Sequence, residues 1–482
     1  MTQISLARKS VGGVSLWLFQ VGASAPLTVV AGSVVATYAS TGVVGLPLSF
    51  LVLAVALAPL TVGYVAMSRH VPHPAIFYGL LARGLGGAAG VAAGVVALFS
   101  YNAIQLSLYG IFGVTMNAVT GLPWWLCALL AWGVVAVLGL LRVDINATFF
   151  AWALIIEIAV VVLLDVASFA DPAGGSVSFT PLHPDNLFVD GLGGVLALGI
   201  AAFVGYESGP AYAEEARNSR SVAAATFGAL GFVGLFYALS SWALANAVGP
   251  DQVASQAAGN PDLVMTVLGD QYGSPIVAVA VLLLMSSIVA AMISFHNGVA
   301  RYVFGMAREH VLPRSLARIG TGVRSGAPTA GSLLQSSLGL AVIVVAAAAE
   351  IDPLVMFTWL ATIAALGVLV LLIATSLAAW RFFHLDGRGE GAGTRRVAPL
   401  LGGIFGVAVL AVTVRNLNSL LGAPPGSWLP WILPVLIVAV GLGGLAWGLA
   451  LRSGQPATYA GIGHGQPDPL ATPDQRLAEL EL

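Results

Sequence analysis

The chain has 482 residues, of which 58% are hydrophobic and only 8% charged, with a formal net charge of −2. Covering the surface of a soluble protein this large takes far more charge, so the composition excludes an ordinary soluble globule and points to the membrane class.

Crossing hydrocarbon as a helix takes about 20 mostly apolar residues. In chain order such runs lie near 14–40, 45–67, 87–117, 123–141, 145–167, 191–213, 221–246, 273–302, 328–349, 354–380, 398–414 and 429–451. The expectation is an all-α polytopic membrane protein with about twelve spans. Closed barrels show short alternating segments instead, and none occur here. The first run is too long for a cleavable signal and leads directly into a second hydrophobic run. Cys127 is the sole cysteine, so no intrachain disulfide can form. Lys9 is the sole lysine, a compositional pointer to a GC-rich bacterial genome.

The organisation expected from these runs begins with a short segment, 1–13, and a five-helix block, 14–167. A loop at 168–190 leads to a second five-helix block, 191–381. Two further spans lie within 398–451, and a polar tail, 452–482, is expected to be mobile. With the N-terminus in the cytoplasm, every Lys and Arg except Arg415 falls on the cytoplasmic side, while the outer loops hold Asp171, Asp185, Asp190, Asp251, Asp262, Asp270 and Asp352. Both termini are therefore expected inside, in the inner membrane of a bacterium.

Two interruptions carry the functional reading. VGASAP (21–26) sits in the middle of the first run, and VGYESGP (204–210) in the middle of the sixth. Each combines glycine, serine and a proline that withholds a backbone N–H, so each should break its helix near the membrane midplane. They open two successive blocks of five helices, and an odd number makes the second block thread the membrane in the opposite sense. Interrupted helices at matching places in two inverted halves point to a transporter's binding site. N–H groups at the start of a second half-helix attract an anion, and carbonyls at the end of a first half attract a cation. On that basis Ala23, Ser24, Ala25 and nearby amides receive a carboxylate, and carbonyls from Phe203 to Gly205 receive an ammonium group.

GYESGPAYAEEARN (205–218), VGASAPLTVVAG (21–32) and HNGVARYVFGMAREHVLP (296–313) resemble three signatures of the amino acid–polyamine–organocation (APC) superfamily of permeases, of the bacterial amino acid permease type. The resemblance covers nearly the whole chain through Arg381. It departs at Ala23 and Ala25, where glycines are usual, at Ser219, where a proline usually follows the asparagine, and at His310, where glycine is usual. It implies a five-plus-five inverted repeat with discontinuous helices one and six, two extra helices, and uptake or exchange of amino acids or amines. Several proton-coupled relatives place a lysine near position 157, where its ammonium group stands in for sodium between helices one, five and eight. Here Glu157 reverses that charge.

Buried acids supply the remaining candidates. Glu207, in the sixth-helix break, reads either as a structural carboxylate holding the broken backbone or as a proton- or amine-binding group. Glu157 reads as a proton-coupling group, a cation ligand or a neutral structural acid, and proton coupling is favoured over sodium. Ser287 and Ser294 on helix eight are its possible partners, although either can bond its own helix. Tyr101, Gln105 and Tyr109 share one face of the third helix, as helix glue or as a wall of the cavity, with Asn102 beside them. Tyr206 flanks Glu207. Phe203, Phe295 and Trp359 are candidate gating aromatics, and His296 can titrate near neutral pH. Arg217, Arg220, Arg301 and Arg308 can pair with Glu214, Glu215 and Glu309 at the inner surface.

Other classes lack their marks. No His-Glu-x-x-His, no Gly-x-Ser-x-Gly and no P-loop is present, so neither an enzyme nor an ATP-driven pump is expected. A channel or a sensor without transport remains the alternative from another class. No cofactor or metal is expected beyond a proton, or sodium, as coupling ion. The expected partners are the lipid bilayer and a small solute, an amino acid before an amine, with no nucleic acid.

Overall fold

The structure, a computed structural model, describes residues 11–465 apart from 142, 214–215, 322–323, 325 and 418–426, with backbone alone at 143–150. Among the described residues there are helices and no strands, and a single isolated bridge joins Val11 to Ala216.

The first run is split. α1 covers Gly13–Ala23, and beyond a break follow Pro26–Thr28, a π-helical stretch Val29–Val34 and α2, Val35–Thr41. α3 (Leu46–Ser68) leads to a short α4 (Ile76–Leu85) within the link between the second and third runs. α5 (Gly87–Thr120), α6 (Trp124–Leu138) and α7 (Val143–Ala170) complete the first block.

The sixth run is also split, into α8 (Leu192–Phe203) and a 3-10 stretch Tyr206–Tyr212. α9 (Ser219–Val248) is followed by two short surface helices, α10 (Val253–Gly259) and α11 (Leu263–Tyr272). Then come α12 (Ser274–Arg308), α13 (Thr329–Ala348), α14 (Pro353–Leu385), α15 (Ala398–Arg415), α16 (Ile432–Gly454) and α17 (Pro456–Ala460).

Eleven of these segments are long and apolar enough to cross a membrane. The fourth expected run corresponds to α6, whose 15 residues fall short of the other eleven. Gly121 and Pro123 precede it and Gly139 caps it, so its ladder ends early at both sides.

Of the segment 452–482 expected to be mobile, residues 455–465 are built onto the protein through α17 and a buried Ile462, and residues 466–482 lie outside the described ones.

The long α5 runs through the middle of the bundle, packed against α14, α16, α4, α12 and α6. Small residues permit these close approaches. A methyl on Gly444 or Gly448 of α16 would meet the Ala92 or Ala88 backbone at 2.8 or 2.6 Å. α1 packs on α9, α12 and the 3-10 stretch, which brings the two split runs together. The face holding Val11 and Ala216 is called here the N-terminal face. α10 packs on α2 at the opposite face.

Candidate functional site

The first break turns on Ala25, a non-glycine residue in the left-handed region (φ 45°, ψ 71°). Such a conformation costs an L-residue about 1–2 kcal/mol, and Pro26 then restarts the helix with its ring already set for the first turn. The amides of Ser24 and Ala25 point back into α1, donating to the carbonyls of Gln20 (3.2 Å) and Gly22 (3.1 Å). The next half-helix opens its ladder with Val29 N–H to the Ala25 carbonyl at 2.9 Å. The amides ahead of that ladder are those of Leu27 and Thr28. The amides that open the second half therefore lie three to five residues beyond Ala23 and Ser24, because those two close α1.

The second break turns on Gly205 (φ 118°), following an extended Val204. A methyl on Gly205 would meet the Cβ and carbonyl carbon of Ala23 at 2.8 and 2.9 Å and the Ser24 nitrogen at 3.0 Å. The two breaks are thus in contact. Gly209 likewise lies against the Gln20 amide, which a methyl would meet at 2.7 Å.

Glu207, fully buried, holds the broken backbone in place. One carboxyl oxygen accepts from the Gly205 N–H at 2.8 Å and the other from the Tyr101 hydroxyl of α5 at 2.8 Å, while its carbonyl accepts from the Tyr64 hydroxyl of α3 at 2.7 Å. An unmet buried backbone group costs about 1–3 kcal/mol, so these bonds offset what the break gives up. Tyr206 is anchored to Thr61 at 2.9 Å.

Other expected residues divide into several places. Gln105, one turn beyond Tyr101, belongs to a separate polar cluster. It accepts from Gln335 of α13 at 2.7 Å and lies 3.4 Å from the Tyr109 hydroxyl and 3.5 Å from His296, which bonds Ser332 at 2.7 Å. That cluster ties α5, α12 and α13 together. Asn102 bonds the Leu98 carbonyl of its own helix.

Phe203 packs on Phe50 and Tyr206, and Phe295 stacks with Tyr101 at 6.2 Å between centroids. Trp359 is half-buried on α14. Ser294 bonds the Ala290 carbonyl of its own helix.

Glu157 is buried on α7, with Ser287 of α12 and Tyr237 of α9 as polar neighbours. The Ser287 hydroxyl is close to it without completing a hydrogen bond of standard geometry. Tyr237 in turn donates to the Ser24 carbonyl at 2.6 Å, so the Glu157 neighbourhood reaches the first break.

At the N-terminal face, Glu309 gathers partners from distant segments. It accepts from His73 at 3.1 Å, Tyr78, the Gly463 amide (2.6 Å) and the Gly465 amide (2.7 Å). Burial alone would raise this carboxyl, but His73, Tyr78 and Gly463 outweigh it and hold the group at about 2. Arg301 lies over the Tyr212 ring at 4.5 Å. Arg217 donates its amide to Val11 at 3.0 Å. Arg220 opens α9. Glu214 and Glu215 lie outside the described residues.

Several functional candidates escaped the sequence reading. Gln20 and Thr28 flank the first break with side-chain oxygens that are buried and have no partner among the described residues. Their spacing of eight around Ser24 is the only signal that marks them. Two cavities meet the region. One of about 410 Å³ opens toward the face opposite the N-terminus, between Thr28, Gly32, Thr115, Asp262, Met265 and Phe357. The other, about 30 Å³, lies toward the N-terminal face between Phe19, Ala23, Tyr101, Ser208, Ser294 and Arg301.

Chemically, the arrangement offers half-helix amides and a hydroxyl on one side, and half-helix carbonyls with a carboxyl group on the other, in a buried site. No curated protein matches the chain. The family model of amino acid permeases, AA_permease_2, matches residues 11–441, most of its length. The chain belongs to the amino acid permease family, whose members are membrane transporters.

Proposed function

We propose that the protein is a secondary active transporter that carries an amino acid across the cytoplasmic membrane by alternating access, driven by protons. The observation that carries this reading is the contact of two helix breaks in mid-span, Gly205 against Ala23 and Ser24, beside the buried Glu207.

An α-amino acid presents two opposite charges on adjacent atoms, and the two breaks present the complementary half-helix ends. In this mechanism the substrate carboxylate takes the Leu27 and Thr28 amides with the Thr28 hydroxyl. The ammonium group takes the carbonyls of Phe203 and Val204. Tyr101 and Glu207 form the floor, with Ala25 and Tyr206 shaping the turn on either side. The blocks 14–167 and 191–381 act as inverted halves, with both termini in the cytoplasm as the positive residues direct. The wide cavity is then the outer approach, and the narrow one lies beneath a closed inner gate.

Glu157 binds the coupling proton, with Ser287 beside it. A neutral acid leaves Tyr237 free to hold the Ser24 carbonyl, and loss of the proton places a charge between α7, α9 and the first break. A charge there has to find water or a partner, which favours opening of the adjoining helices. Proton binding and gate position are coupled in this way.

The experiment is counterflow in proteoliposomes with a mixture of the twenty labelled amino acids. A carrier gives saturable exchange, and flux that rises without saturation, or no flux, overturns the reading. One observation favours a second substrate class: Glu157 and Glu207 are both buried in the bundle, and two interior acids suit a cationic amine. Inhibition of the same exchange by a diamine, and not by neutral amino acids, selects that reading.

A further inference from the structure

One buried acid has no part in the mechanism above. Asp165 lies on α7 two turns beyond Glu157, toward the face opposite the N-terminus, and only 4% of it is exposed. One carboxyl oxygen accepts from the Ser240 hydroxyl of α9 at 3.0 Å. The other is buried and has no partner among the described residues.

The surroundings give this acid a direction. Ser240 stands one turn from Tyr237, which neighbours Glu157 and bonds the Ser24 carbonyl. Hydroxyls on α9 therefore line the gap between the two acids on α7. One turn beyond Asp165 on α7, Phe169 meets Trp242 of α9 edge-on at 4.9 Å, with Phe179 at 5.1 Å from Trp242. Trp242 donates to the Ser178 carbonyl at 2.7 Å, so this aromatic group is tied to the loop between the fifth and sixth runs.

Other titratable groups around α7 do not replace it. α11 brings Tyr272, which donates to the Leu163 carbonyl, and an exposed Asp270. α12 carries His296, Arg301, Tyr302 and Arg308, all beyond Ser287 toward its far end. α1 and Pro26–Thr28 carry no titratable side chain. A carboxylate with one bare oxygen and no cation beside it is costly in this interior unless a proton fills the vacancy in its bonding.

We propose that Asp165 is a second proton-exchanging residue, through which the coupling proton passes between the outer face and Glu157. This rests on the reading of Glu157 as the coupling group. The O–H bond of the Asp165 carboxyl breaks and one forms on the Glu157 carboxylate, leaving Asp165 ionised. Eight residues of helix separate the two by about 12 Å, so the proton crosses through water and the hydroxyls of Ser240 and Tyr237.

The test uses the full chain in proteoliposomes, with the mixture of twenty labelled amino acids as probe, for wild type, Asp165→Asn, Asp165→Glu and Glu157→Gln. Two quantities are read: accumulation driven by an inward proton gradient, and counterflow without a gradient. The proposal expects the ratio of accumulation to counterflow to fall at least tenfold in Asp165→Asn and to recover in Asp165→Glu. Accumulation and counterflow falling in the same proportion, or neither falling, overturns it. Wild-type accumulation by Glu157→Gln, with the ratio reduced in Asp165→Asn, overturns the Glu157 reading instead and leaves Asp165 as a proton site on its own. Should Asp165→Asn fail to fold, Ser240→Ala replaces it, with a fall in the same ratio expected and an unchanged ratio contradicting the proposal.

Discussion

The Tyr101 hydroxyl donates to Glu207 at 2.8 Å, and that one bond joins the central helix α5 to the broken sixth run. A hydrogen bond to an ionisable group contributes about 1.5–3 kcal/mol. Tyr101→Phe keeps the ring against Phe295 and removes only the hydroxyl. Uptake into proteoliposomes is expected to fall about 10- to 100-fold, in step with that energy. Uptake within a factor of two of wild type would show that the bond has no share in transport.

Ala25 offers a prediction of opposite sign. Its left-handed backbone costs about 1–2 kcal/mol as alanine and almost nothing as glycine. Glycine adds about 0.4–1 kcal/mol of unfolded-chain freedom, which works against the gain. Ala25→Gly is therefore expected to leave the thermal midpoint in detergent equal to wild type or slightly higher. A clear drop would mean that the methyl packs in a way that outweighs the relief.

Gly205 allows no such exchange. Its positive φ and the 2.8 Å approach of Ala23 both oppose a side chain. Gly205→Ala is expected to lose about 1–3 kcal/mol through the backbone and a similar amount through overpacking, about 1–3 kcal/mol. A lowered thermal midpoint together with lost uptake is the expected result. Wild-type behaviour in both would separate the two breaks.

Glu309 predicts how the tail responds to acid. Its carboxyl is held at about 2, below the 4.5 of a free side chain. A lowered carboxylate stabilises the docked state fully above the unfolded value, and that contribution is lost as pH falls through the folded one. Protection of the Gly463 and Gly465 amides from hydrogen exchange, corrected for intrinsic rate, should hold from pH 7 to 5 and fade between 4 and 2. Glu309→Gln leaves buried partners unmet, a loss on the order of 3 kcal/mol, and should expose both amides already at pH 7. Protection that already fades between pH 7 and 5 would contradict a latch held by the Glu309 carboxylate.

Hydropathy made the long helices legible, since a span must satisfy its own backbone and exclude charge. The broken runs were legible as well, because Gly205, Pro26 and Pro210 act on their own backbone. What the sequence hid depends on distant segments. Asp165 went unread because it stands six residues from Asp171 near the end of its run, and only the fold brings Ser240 of α9 to it. Gln105 shares a face with Tyr101, but α13 supplies Gln335 and draws it into another cluster. The Glu309 site gathers residues 73, 78, 309 and 463, and no local pattern announces such a meeting. α4 went unread because its ten residues are about half the length of a membrane span.

The account depends most on where the solute sits. Cys127 is buried and is the sole cysteine, so Cys127→Ala with Ser208→Cys gives one thiol beside the meeting of the breaks. Its rate of alkylation by a small maleimide is measured in membranes, with and without a saturating amino acid identified by counterflow. The account predicts at least a tenfold slowing when the amino acid is bound. Equal rates, in a protein that still exchanges that amino acid, would contradict it.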